Sequence, residues 1–101
     1  MATGTLSEYI AIDESAVDHV PNGLTAVQAA ALPLVSLTSY NSLVTLGRLQ
    51  RGSKVLVLGG SSATGIMAVQ IAKAYNAADI VATCSPRNDA LVLTYTHKHA
   101  A

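Results

Sequence analysis

One short run, residues 55–65, constrains the fold of this chain more than any other feature. Its first four residues are apolar and two of them are β-branched, which is typical of a buried parallel strand covered on both faces. Gly59 and Gly60 permit a sharp turn, and Gly65 allows the following helix to lie close to the strand. The run therefore predicts a strand, a tight turn and a helix. In that arrangement the first helical N–H groups and the helix macrodipole can bind the pyrophosphate of a dinucleotide.

The residues around this run predict an α/β fold. The helix is expected to extend to about Tyr75 with Asn76 as a left-handed C-cap, and residues 80–84 form a second apolar strand. Strand, helix and strand within about 30 residues make one βαβ unit of a doubly wound parallel sheet. Upstream, residues 6–13 alternate like a half-buried strand, and Thr25 with Gln28 has the spacing of a capping box. Residues 34–46 predict a helix that Gly47 terminates.

The glycine pattern has two interpretations. In the dinucleotide-binding frame G-x-G-x-x-G, its three positions are Gly60, Ser62 and Gly65, with serine where the middle glycine normally lies. The small side chain of Ser62 leaves room for a pyrophosphate, and its hydroxyl can donate to a phosphate oxygen. The other interpretation is a tight turn of a doubly wound sheet that binds no nucleotide. The βαβ context favours nucleotide binding.

The residues after the second strand predict which dinucleotide is bound. An NAD site usually has a carboxylate at the end of this strand, but Asp79 precedes it and so lies at the wrong edge of the sheet. Ser85, Arg87 and Asn88 follow the strand, and a guanidinium can engage a 2′-phosphate bidentately. NADP(H) is therefore favoured over NAD(H). The alternative is that these residues form only a polar turn.

Composition indicates that the chain is part of a larger fold. Of its 101 residues, 50% are hydrophobic and only 12% are charged, against about 25% charged in an ordinary globular domain. Surfaces meant to be covered by further chain explain this excess, and a homodimer that buries the same surfaces is the alternative. Equal numbers of basic and acidic residues argue against nucleic acid or an anionic membrane as a partner.

The remaining signals are weak. A single cysteine, Cys84, excludes an internal disulfide and leaves the cytosol or an organelle matrix as the default compartment. It ends a strand, where a structural thiol is expected rather than a nucleophile. No signal peptide is visible, and no apolar run approaches the ~20 residues of a membrane span. His97 and His99 with Tyr95 in a strand-like run could bind a metal, but exposed tail residues are the expected interpretation.

Several motifs in order resemble one protein family. Residues 4–9 resemble the closing strand of a catalytic domain, and residues 29–33 with 37–40 resemble the entry into a cofactor domain. Residues 52–60 and 68–73 resemble the strand, turn and helix that follow. Together they are similar to the medium-chain dehydrogenase/reductase superfamily, on the zinc-independent quinone oxidoreductase and enoyl reductase side. The resemblance implies that residues 1–20 end a GroES-like catalytic domain, that residues 21–90 are the N-terminal half of a Rossmann domain, and that residues 91–101 are a divergent tail.

The same resemblance implies a function and a set of site residues. The expected activity is NADPH-dependent hydride transfer to a small quinone, enone or related carbonyl compound, without zinc. Ser85 with Arg87 or Asn88 would meet the 2′-phosphate, and Thr38 would lie near the nicotinamide. The turn that would meet the pyrophosphate comprises Gly60, Ser61, Ser62, Ala63, Thr64 and Gly65. Because this family's subunits are roughly three times longer, the chain is expected to be an incomplete cofactor-binding portion. A nucleotide-binding or interaction fragment without turnover is the alternative.

Overall fold

The computed structural model describes residues 4–96. The chain divides into two compact units, Met1–Ala30 and Ala31–Ala101. The first unit contains a 3₁₀ turn, Glu14–Ala16, and one short helix, α1 (Ala26–Ala30). Asp13 caps the 3₁₀ turn by accepting a hydrogen bond from the Ser15 N–H. The elements of the candidate site all belong to the second unit.

Residues 6–13 do not form the predicted strand. They have no strand or helix, and their side chains are exposed, including Leu6 and Ile12. Within residues 4–96, the two strands that exist pair with each other and both lie in the second unit. The alternating apolar pattern therefore has no neighbouring strand with which to form backbone hydrogen bonds. Without those bonds, a single extended segment is not stable as a β-strand.

The predicted capping box is confirmed. Gln28 Oε1 accepts from the Thr25 N–H at 3.0 Å, and Thr25 Oγ1 accepts from the Gln28 N–H at 3.2 Å. These reciprocal bonds satisfy two helix-terminal donors at the start of α1.

The second unit is a βαβ arrangement preceded by a helix. Helix α2 (Pro33–Tyr40) begins with Pro33 and continues into a π-helical segment, Asn41–Leu46. Strand β1 (Lys54–Val57), helix α3 (Ala63–Ala74) and strand β2 (Asp79–Ala82) follow, and a 3₁₀ turn, Pro86–Asn88, leads into helix α4 (Asp89–Tyr95). The strands are parallel, with Lys54 opposite Asp79 and Val57 opposite Ala82. This confirms the predicted α/β class.

The core lies on one face of the two-stranded sheet. Val57, Ala82, Val69 of α3 and Val92 of α4 form it, and each is at most 8% exposed. The alternate strand residues face away, so that Leu56 is 63% exposed. The expectation that β1 is covered on both faces is therefore wrong for residues 4–96, because no described element packs against the second face.

Two predicted helix ends are present in the structure. Asn76 has φ of 55° just after α3, which confirms the left-handed C-cap. The helix before β1 ends at Gly47 as predicted, but Gly47 itself has φ of −76° and Arg48, at 50°, takes the left-handed conformation. Gly47 is needed for another reason: an added Cβ would lie 2.8 Å from the carbonyl oxygens of Ser42 and Leu43.

The C-terminal part of the chain also differs from its prediction. The strand-like interpretation around Tyr95 is wrong, because Asp89–Tyr95 is helical and its Val92 enters the core. His97 and His99 lie outside the described residues.

One helical stretch, Ala26–Leu46, is long and apolar enough to cross a membrane by length and composition alone. No run of that length is expected from the sequence. Core helices of soluble proteins and signal sequences have the same length and composition, so the stretch does not by itself place the chain in a membrane.

Candidate dinucleotide-binding site

The turn between β1 and α3 depends on three glycines. Gly59 has φ of 80°, a left-handed conformation that side chains disfavour. A Cβ on Gly60 would lie 2.7 Å from Ala82 Cβ on the neighbouring strand. A Cβ on Gly65 would overlap the carbonyl oxygen of Gly59, so α3 can approach the strand this closely only with glycine there. The roles assigned to these glycines from the sequence therefore correspond to real steric constraints.

Ser62 is the N-cap of α3. Its Oγ accepts from the Gly65 N–H at 3.0 Å and donates to the Gly59 carbonyl at 2.8 Å. The hydroxyl hydrogen of Ser62 therefore forms a hydrogen bond within the turn, and this bond stabilises the turn. The serine at the position of the pattern's middle glycine therefore stabilises the N-terminus of α3 as its cap.

Three N–H groups at or just before the start of α3 have no acceptor among residues 4–96. Within the described part of the chain, the amides of Ser61, Ala63 and Thr64 donate no hydrogen bond, whereas Gly65 N–H is capped and Ile66 N–H bonds to the Ser62 carbonyl at 2.8 Å. Three unpaired donors at the positive end of a 12-residue helix form an anion-binding arrangement.

Thr83 joins the turn to the residues after β2, and the sequence analysis did not identify it. Its Oγ1 accepts from the Gly59 N–H at 3.1 Å, and its carbonyl accepts from the Gly60 N–H at 2.8 Å. Because β1 and β2 are parallel, their carboxyl ends lie side by side and bring these residues together. The predicted strand 80–84 contained Thr83, whereas β2 ends at Ala82, so no sequence signal pointed to this residue.

The predicted 2′-phosphate residues lie beside this turn. Ser85 precedes the 3₁₀ turn and makes no side-chain capping bond, and Arg87 is exposed in that turn. Asn88 is half-buried, and its Nδ2 donates to Ser61 Oγ at 3.1 Å. The structure thus brings Asn88 into contact with the turn between β1 and α3, whereas the resemblance gives it as an alternative to Arg87 at the 2′-phosphate.

Asp79 lies at the opposite edge of the sheet, as predicted. It is the first residue of β2, and its Oδ2 lies 4.0 Å from Lys54 Nζ. The carboxylate that an NAD ribose would need is therefore far along the strand from the turn. The residues after β2 at the carboxyl edge include Ser85, Arg87, Asn88 and the carboxylate of Asp89, whose Oδ1 lies 3.8 Å from Cys84 Sγ.

Helix α2 packs against the first turn of α3 through Ser39 rather than Thr38. Ser39 is buried, and its Oγ donates to the Thr64 carbonyl at 2.9 Å. Thr38 is exposed, and its Oγ1 donates to the Leu34 carbonyl of its own helix at 2.7 Å. The role of Thr38 near a nicotinamide stays a prediction. Ser39 was missed because a serine within a helix gives no sequence signal of burial.

Cys84 lies beside the candidate site. Burial raises the pKa of its thiol, and the negative charge of Asp89, whose Oδ1 lies 3.8 Å from Sγ, raises it further. A raised pKa keeps the thiol protonated at neutral pH, which fits a structural role. Across residues 4–96, no group of three or more His, Cys, Asp or Glu side chains could hold a metal ion. The expected absence of zinc stays a prediction.

Known proteins similar to this chain include several oxidoreductases. The human mitochondrial NAD(P)H oxidoreductase RTN4IP1 is 40% identical over 93 residues, which are 88% of this chain and 23% of that protein. The chain thus spans about a quarter of the length of such curated relatives. No family model matches the chain.

Solved structures resemble its fold. The CurK enoyl reductase superposes with a TM-score of 0.75 at 34% identity, over 80% of this chain and 24% of that one. The quinone oxidoreductase of Thermus thermophilus, which was also solved in complex with NADPH, superposes with a TM-score of 0.67 at 37% identity, over 74% of this chain and 25% of that one.

Proposed function

Since this chain belongs to the medium-chain dehydrogenase/reductase superfamily, we propose that the turn after β1 binds the pyrophosphate of NADPH. The observation that carries the proposal is the set of unpaired N–H groups on Ser61, Ala63 and Thr64 at the start of α3. They supply hydrogen-bond donors and a positive helix end at one place. The close contact at Gly65 keeps that helix end against the strand.

The residues present fit a dinucleotide. Gly60 carries no side chain in the turn, and the one side chain at the middle position of the frame, Ser62, hydrogen-bonds within the turn. Ser62 then acts by capping α3, and the phosphate donors are the backbone amides and the Ser61 hydroxyl. Gly60 leaves space for the pyrophosphate but does not donate a hydrogen bond to it, because its N–H already donates to the Thr83 carbonyl.

The preference for NADPH over NADH rests on Ser85 and Arg87. The Arg87 guanidinium is exposed on the 3₁₀ turn that follows β2, and the Ser85 hydroxyl makes no capping bond. Both can donate to a 2′-phosphate, which a guanidinium binds bidentately. The carboxylate of Asp79 lies at the far edge and does not oppose that charge.

Bound NADPH would supply the hydride, and the residues of this chain would hold its adenosine end. We propose that the whole protein transfers this hydride to a small quinone, enone or related carbonyl compound. Thr38 would lie toward the nicotinamide. Residues 1–20 would belong to a GroES-like domain and residues 21–90 to a Rossmann domain, with residues 91–101 as a divergent tail.

Two further proposals concern partners and compartment. A homodimer would cover part of the apolar surface, such as the exposed sheet face at Leu56 and Leu58. An organelle matrix fits the mitochondrial relative, and the cytosol fits the single cysteine.

The test is a calorimetric titration of the 101-residue chain with NADPH and with NADH. We expect saturable binding that favours NADPH. Arg87→Gln should weaken NADPH binding about tenfold or more, since a hydrogen bond to a charged group is worth about 1.5–3 kcal/mol, and should leave NADH binding unchanged. Arg51→Gln removes an exposed arginine near the opposite edge and serves as the matched control. No binding of either cofactor by the folded wild-type chain would refute the proposal.

The second candidate is nucleotide binding without turnover. It is favoured by the described site, because the unpaired N–H groups of Ser61, Ala63 and Thr64 would bind phosphate and take no part in hydride transfer. Mixing the chain with NADPH and a quinone separates the two candidates. NADPH oxidation above the buffer rate supports the oxidoreductase, and binding without oxidation supports the second candidate.

A further inference from the structure

A single hydrogen bond between side chains, 27 residues apart in sequence, joins the pyrophosphate turn to the loop after β2. Asn88 Nδ2 donates to Ser61 Oγ at 3.1 Å, and both residues are half-buried. Partial burial strengthens such a bond, because water competes less for its partners.

This bond determines that the Ser61 oxygen acts as the acceptor toward Asn88, so that its hydrogen donates elsewhere. A serine hydroxyl carries one hydrogen and two acceptor lone pairs. When Asn88 donates to the oxygen, the hydroxyl hydrogen must point to another acceptor. Among the described residues it has none, and the same residue's N–H is also unpaired. Ser61 therefore offers two donors, close in sequence to the unpaired amides of Ala63 and Thr64.

We propose that Asn88 is a positioning residue for the cofactor pyrophosphate, acting through Ser61, and is not a ligand of the 2′-phosphate. The inference rests on the proposed function, and it assigns Asn88 to the pyrophosphate, whereas the family resemblance offers it as an alternative to Arg87 at the 2′-phosphate. Asn88 holds the Ser61 hydroxyl so that its hydrogen donates to a pyrophosphate oxygen. This role serves NADPH and NADH equally, because both carry the same pyrophosphate.

The loop that bears Arg87 does not depend on this side-chain bond. The Asn88 backbone N–H donates to the Ser85 carbonyl at 2.8 Å, which closes the 3₁₀ turn. The following helix α4 is anchored by Val92, which is 1% exposed. Truncating the Asn88 side chain should therefore leave Arg87 in place. The ratio of NADPH to NADH affinity then tells whether Asn88 positions the pyrophosphate or binds the 2′-phosphate.

The experiment measures NADPH and NADH affinity for the 101-residue chain and its variants by calorimetry. Asn88→Ala should weaken both cofactors about 3- to 10-fold, the range expected for one hydrogen bond, and leave their affinity ratio unchanged. Ser61→Ala should produce the same loss. The double variant should lose no more affinity than either single variant, because both substitutions remove the same interaction between Ser61 and the pyrophosphate. Ser61→Thr keeps the hydroxyl and should stay within about twofold of wild type.

Asn22→Ala removes an exposed asparagine in the first unit and is the matched control, and circular dichroism checks that each variant is folded. If Asn88→Ala weakens NADPH alone, Asn88 is a 2′-phosphate ligand and the inference is wrong. Additive losses in the double variant also overturn it. If the wild-type chain binds neither cofactor, the proposed function fails first and the inference with it.

Discussion

The turn after β1 and the segment of residues 4–24 contrast within one short chain. In the turn, Gly59, Gly60 and Ser61 hydrogen-bond to residues 23 to 27 positions away, namely Thr83 and Asn88. In residues 4–24, every described hydrogen bond joins residues at most three apart, and every side chain is exposed. Both regions carry clear apolar patterns. A pattern becomes structure only where another element supplies a surface to pack on and backbone groups to pair with.

The largest expected effect comes from the close contact in the turn. Gly65→Ala should lower the free energy of unfolding by about 3 kcal/mol, because the added Cβ overlaps the Gly59 carbonyl oxygen. Urea unfolding followed by circular dichroism measures it. Gly4→Ala is the matched control in the contrasting segment, where an added Cβ meets nothing within 4 Å, and it should change stability by less than about 0.5 kcal/mol. Equal effects of the two substitutions would contradict the contrast.

Loss of the helix cap should have a smaller effect. Ser62→Ala removes the acceptor for the Gly65 N–H and should lower the free energy of unfolding by about 1 kcal/mol. Ser7→Ala removes an exposed hydroxyl that donates to the Tyr9 carbonyl, and its effect should be less than about 0.5 kcal/mol. A neutral Ser62→Ala variant would mean that the cap contributes nothing in solution.

The thiol beside the turn should show a modest pH effect. Burial, and then the charge of Asp89, raises the pKa of Cys84 above its ordinary value of 9.0. The folded chain thus gains stability below that value and loses it as pH rises through the folded pKa. Alkylation by iodoacetamide should therefore set in at higher pH for the folded chain than in urea. Asp89→Asn should shift the folded profile toward lower pH, and coincident folded and unfolded profiles would show that the thiol is not protected.

The smallest effect is expected in the segment without a strand. Ile10→Ser should change the free energy of unfolding by less than about 0.5 kcal/mol, because Ile10 is 41% exposed and belongs to no ladder. The urea midpoint and slope measure it. A loss above about 1 kcal/mol would mean that residues 6–13 pack as the strand that their alternation predicted.

Much of the second unit could be predicted because its signals are local. The apolar runs, the glycines and Asn76 act within a few residues of their own position, and the βαβ order follows from them. The π-helical segment Asn41–Leu46 could not be predicted, since its apolar spacing also fits an ordinary helix. The uncovered face of β1 was missed for a different reason: an apolar strand does not tell whether a second layer is present.

For the candidate site, the sequence by itself determined the turn, its glycines, and a polar loop with Arg87 at the same edge of the sheet. It also placed Asp79 at the other edge, because strand direction alone decides that. The tertiary structure alone decided which side chains meet: Thr83 with Gly59, Asn88 with Ser61, and Ser39 with Thr64. These pairs are 24 to 27 residues apart. Their partners are set by how parallel strands and packed helices bring distant residues together, and no local periodicity encodes that.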